Sequence, residues 1–97
     1  MSVFMVVFEL SESTIAGKYA PIFSFMESHT HCPVSKSVWF IDTDRTFDDL
    51  HDDIARLMVA YPDSVEFIVT NQQPDSWTTR GLRQVANWLK SPDRSWG

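Results

Sequence analysis

The segment from Trp39 to Asp53, WFIDTDRTFDDLHDD, carries Asp42, Asp44, Asp48, Asp49, Asp52 and Asp53, six of the thirteen carboxylates of the chain in twelve positions. Carboxylates at this density could ligate a hard cation such as magnesium, which takes oxygen ligands in near-octahedral geometry. They could also imitate the phosphate spacing of a nucleic acid and so occupy the groove of a basic partner. The third possibility is a solvated first helical turn, where the helix dipole favours negative charge. If a helix starts near Phe47, Asp48 with Asp52 and Asp49 with Asp53 stand at i and i+4. Like charges then adjoin at a cost of roughly 0.2–0.5 kcal/mol per pair, which the dipole offsets. Fold stability alone accommodates the cluster. Magnesium sites usually draw carboxylates from different elements, so metal ligation is the weakest of the three readings.

Other residues could do chemistry too. Glu9 closes the apolar run Val3 to Phe8, where a carboxylate can stand at the rim of a sheet; its bland alternative is a solvated strand end paired with Lys18 or Arg80. His29-Thr30-His31-Cys32 offers two imidazoles and a thiol, and His51 could add a fourth zinc ligand. The spacing matches no zinc-finger pattern, however, and a surface loop with incidental histidines explains it as well. A Cys-His nucleophilic pair lacks an evident orienting group. Arg80 and Arg83 stand one turn apart near the start of the last helix and could touch phosphate, or could simply balance the acidic helix. Trp39 and Trp88 read as core, whereas Trp77 and Trp96 lie in polar surroundings, where packing competes with a partner surface or base stacking.

The elements that must position these residues follow from periodicity. Val3 to Phe8 is apolar on both alternations, as in a strand covered on both faces. A helix from about Lys18 to His29 tolerates Pro21 in its first turn. The next strand runs from about Ser35 to Thr43. A second helix follows Thr46, a plausible N-cap, with Phe47, Leu50, Ile54, Leu57 and Met58 on one stripe. Tyr61 to Ser64 is a turn, Val65 to Thr70 a third strand, and Trp77 could close a short fourth. A last helix from about Thr79 to Lys90 aligns Leu82, Val85, Ala86 and Leu89. This order predicts an α+β fold, a ferredoxin-like two-layer sandwich of the βαββαβ type with an antiparallel sheet and helices on one face. Such a layer leaves one sheet face open although the first strand is apolar on both sides. A second copy packing sheet to sheet would cover it, which predicts a homodimer.

Composition bounds the function. Ninety-seven residues, 43% of them apolar and only three glycine, make one folded domain spanning 1–97. Eight basic against thirteen acidic residues give a net charge of −5, the wrong sign for broad phosphate neutralisation. Nucleic-acid contact must therefore be local, and Arg80, Arg83, Lys90 and Arg94 do concentrate near the end. The longest apolar run is far short of the roughly 20 residues of a membrane span and resembles no signal peptide. One cysteine, Cys32, excludes an internal disulfide. A cytoplasmic protein without membrane association is expected.

The runs FMVVFEL, HCPVSKSVWFIDTD, TFDDLHDDIARLM and DSVEFIVTN resemble the SinR-like proteins and, more distantly, the small CRISPR-associated subunit of the Cas-two type, over about residues 3 to 70. The strand Ser37 to Thr43 with the helix after it is the most specific part. Related folds include toxin ribonucleases of the VapD sort. The resemblance implies a ferredoxin-like homodimer in nucleic-acid-related biology, in antiviral defence or counter-defence. Many members are clamps or scaffolds; others hold a divalent metal between two subunits with an aspartate that closes the first strand. Glu9 stands at that position, so the resemblance makes it both the catalytic and the metal-binding candidate, with magnesium as the implied cofactor. The departure from aspartate moves the carboxylate by one methylene. Three readings result: a binding or scaffold protein, a metal-dependent RNA or DNA endonuclease using Glu9 of both subunits, and an acidic nucleic-acid mimic that inhibits a nucleic-acid-binding protein.

Overall fold

The computed structural model describes residues 2–9, 19–35, 37–59, 66–74 and 76–96. The expected loop at 11–17, Lys18, and the turn at 61–64 lie outside the described residues. The chain runs β1 (Ser2–Glu9), α1 (Ala20–Glu27), β2 (Thr30–Pro33), β3 (Val38–Thr43), α2 (Phe47–Met58), β4 (Glu66–Asn71) and α3 (Arg83–Lys90). The strands form one antiparallel sheet in the order β2-β3-β1-β4. The expected α+β class is therefore observed, as a four-stranded antiparallel sheet with three helices.

Alternation along β1 explains why it is apolar throughout. Phe4, Val6 and Phe8 point to the face shared with Trp39 and Ile41, where Tyr19, Ile22 and Met26 from the α1 region and Leu50 and Ile54 from α2 pack against them. The alternate residues, Val3 and Met5, point to the other face, where they meet Cys32, Phe40, and Val85 and Leu89 of α3. The chain thus covers the second face itself around Val3, Cys32 and Phe40, while Ile68 at the β4 edge of that face stays 57% exposed.

This corrects two expectations. The helices do not all lie on one face, because the apolar stripe of α3 is itself a cover for the second face of the sheet. The reason given for a sheet-to-sheet homodimer goes with it: Val3 is fully buried by the chain's own α3 and the tryptophans around it. Thr30–Pro33, expected as loop, is instead the edge strand β2. Its register with β3, His31 opposite Ile41 and Cys32 opposite Phe40, supplies tertiary pairing that a short polar segment does not advertise.

Two local features anchor the helices. Thr46 has extended backbone and its Oγ1 accepts from the Asp49 N–H at 3.1 Å, so the expected N-cap of α2 is present. The start of α3 differs from expectation. Gly81 and Leu82 both have positive φ, 72° and 50°, so the helix begins only at Arg83 and Leu82 turns outward, 53% exposed. No helix among the described residues is long and apolar enough to cross a membrane.

Candidate functional site

The six aspartates separate once folded. Asp44, Asp48, Asp49 and Asp52 are exposed around the start of α2. Asp53 is not free in the same sense: its side chain is only 15% exposed and is held by Arg45 and Arg56 together. Its charge is offset where it stands, so the outward row is the other four. Both arginines reach it from exposed positions, and helix geometry sets Asp53 and Arg56 side by side at i and i+3.

Asp42 leaves the row entirely. On β3 its neighbours alternate, and its side chain faces α3, where it is buried. Oδ2 accepts the Ser95 N–H at 2.8 Å and lies 3.8 Å from Arg94 Nη1. The Arg94 guanidinium sits 4.1 Å from the centre of the Trp88 ring. Asp42 is therefore an internal anchor for the segment after α3, which corrects its assignment to a binding surface. A signal existed in the sequence: Asp42 shares its alternation with Val38 and Phe40.

Glu9 is exposed at the end of β1, as expected, and pairs in register with Glu66 of β4. Like charges directly opposite are unfavourable across an antiparallel pair, so the two carboxylates form a small anionic rim. They border a depression of about 420 Å³ lined also by Val7, Phe8, Phe67 and Ile68. Glu66 was not singled out by sequence, because only the register brings it to Glu9. Arg80 forms no ion pair with Glu9 among the described residues.

The zinc reading fails on strand alternation. His31 and Cys32 are adjacent in β2 and so face opposite sides of the sheet. His31 lies by Trp39, with ring centres 5.7 Å apart, and Cys32 lies in the α3-side cluster. His29 Nδ1 is 2.9 Å from the Phe25 carbonyl, and His51 lies on α2 against Phe67. Among the described residues no three metal-ligating side chains come together. Burial pushes the Cys32 thiol above its ordinary range, against the opposing attraction of Arg94.

Arg80 and Arg83 are both exposed at the start of α3. Trp77 and Trp96 are half-buried against the α3-side cluster, so neither is the freely exposed ring that base stacking would use. No family model matches the chain, and no curated protein or solved structure matches it either.

Proposed function

We propose that the chain is a binding or scaffold protein in nucleic-acid-related biology, working through the acidic surface at the start of α2 and acting as a homodimer. One observation carries the reading. Asp44, Asp48, Asp49 and Asp52 stand out to solvent while Asp53 beside them is neutralised by Arg45 and Arg56. The side-chain cap at Thr46 fixes the helix start that carries Asp48, Asp49 and Asp52, and this suits the basic groove of a nucleic-acid-binding protein. The strand order β2-β3-β1-β4, with α1 and α2 on one face, supports a ferredoxin-like arrangement to which α3 is added. That arrangement agrees with the likeness to SinR-like and Cas-two proteins, in defence or counter-defence.

A second reading, a metal-dependent nuclease, is favoured by the register of Glu9 with Glu66, which supplies two carboxylates from two strands. Magnesium held there would activate a water for attack on a phosphodiester.

Two experiments separate these. The immobilised protein is challenged with nuclease-treated lysate, which removes nucleic-acid bridges. Basic nucleic-acid-binding proteins should be retained at low salt, released as salt rises, and lost when Asp44, Asp48, Asp49 and Asp52 are all changed to Asn. Retention unchanged in that variant refutes the acidic surface. In parallel, labelled single-stranded RNA and duplex DNA are incubated with the protein in magnesium or manganese. Cleavage abolished by Glu9→Gln would make the protein a nuclease instead.

A further inference from the structure

The two edges of the sheet are not alike. β2 is four residues long and ends in Pro33, two devices that blunt an edge against further pairing. β4 is six residues, Glu-Phe-Ile-Val-Thr-Asn, with no proline, no lysine and one charge. No described strand lies beyond it.

The hydrogen bonds state which groups face outward. The Gln72 N–H donates to the Val3 carbonyl at 2.8 Å, and the β1–β4 register continues this as Met5 with Thr70, Val7 with Ile68 and Glu9 with Glu66. In an antiparallel ladder such hydrogen-bonded pairs alternate with non-bonded ones. Thr70, Ile68 and Glu66 therefore spend their backbone groups on β1. The N–H and C=O groups of Phe67, Val69 and Asn71 point away from the sheet, and none bonds another described residue.

We propose that β4 is the interface with a second copy of this chain, joined antiparallel across a two-fold axis at Ile68 into one eight-stranded sheet. This rests on the homodimer proposed above but places it at the sheet edge, not on a sheet face. The strand is complementary to itself in this register. Phe67 opposes the partner's Val69, and their outward backbone groups exchange hydrogen bonds. Glu66 opposes the partner's Thr70, so the only charge on the strand does not meet its copy. Ile68, 57% exposed in the single chain, meets the partner's Ile68 as a non-hydrogen-bonded pair, the closer of the two pair types.

The arrangement also bears on the nuclease reading. Glu9 and the partner's Glu9 would be three strands apart and offset by four residues, about 19 Å from strand geometry. One metal ion could not be shared between them.

The test is sedimentation velocity of the full chain over a concentration series, together with Ile68→Lys, which sets two ammonium groups face to face on the axis. The wild type should be dimeric, without weakening as salt rises, and Ile68→Lys should weaken the dimer by at least about tenfold. Ile68→Cys gives a second readout. Opposed non-bonded residues have Cα atoms about 4.5 Å apart, within disulfide reach, so mild oxidation should yield a covalent dimer. Val7→Cys, on the same face but about 14 Å from its copy, should not crosslink. A monomeric wild type would overturn both this interface and the homodimer. A dimer unaffected by Ile68→Lys, with no crosslink in Ile68→Cys, would overturn the interface while sparing the homodimer.

Discussion

Removing the Asp42 carboxylate should loosen the whole second layer of the protein. The Asp42 and Arg94 side chains are 3% and 8% exposed, so each charge depends on the other for compensation. In Asp42→Ala the guanidinium stays buried without a counter-charge, and the Ser95 N–H loses its acceptor. Breaking a buried pair from one side costs roughly 3–5 kcal/mol. The separation of 3.8 Å is too long for a hydrogen bond, and the Trp88 ring still shares the guanidinium charge, so the lower end applies. We expect a loss of about 3 kcal/mol, which for a domain of this size lowers Tm by roughly 12–24 °C. Arg94→Met keeps an apolar body against Trp88 and removes the other charge. Alone it strands the carboxylate; combined with Asp42→Ala it removes both charges together. The double variant should therefore cost clearly less than the two single changes added together, with a coupling of at least about 2 kcal/mol. Urea unfolding of the four proteins, followed by tryptophan fluorescence, measures the cycle. A cost below about 1 kcal/mol for Asp42→Ala, with no coupling to Arg94→Met, would refute the claim that this pair pins the segment after α3.

Thr46→Ala removes the α2 cap and should cost about 1 kcal/mol in chemical denaturation, with Thr46→Ser largely restoring it. Leu82→Gly should stabilise by about 0.5 kcal/mol in the same assay, because the left-handed backbone strains leucine by more than glycine's added chain entropy costs. The native Cys32 thiol should resist a thiol-specific reagent until the protein unfolds. Its raised folded pKa also makes a signed contribution: above the ordinary thiol pKa the unfolded state sheds its proton first, so this part of the stability is present below that pH and declines as pH rises through the folded value. Alkaline denaturation of wild type against Cys32→Ala measures it, and a wild type no more alkali-sensitive than the variant would contradict it.

The sequence was sufficient wherever local pattern and local chemistry coincide. The run Val3 to Phe8 reads as a buried strand because both alternations are apolar, and β1 is covered on both faces. The stripe Leu50, Ile54 and the cap at Thr46 define α2 by spacing alone, since helical neighbours are fixed by a period that no tertiary contact alters. The exposed position of Asp48, Asp49 and Asp52 follows from the same period, and that of Asp44 from its place in the bend before the cap. Tertiary structure decided what depends on distant partners. Whether the second sheet face met a copy or the chain's own helix turned on where α3 lands, and two apolar surfaces can be matched within a chain as well as between chains. Asp42 shows the same division: its place on β3 was legible, but its burial came from Arg94 and Ser95, more than fifty residues away. Glu66 became a neighbour of Glu9 only through the strand register, and β2 became a strand only by pairing with β3. Periodicity is a property of neighbours in the chain. Pairing and burial belong to residues that meet only after the chain has folded.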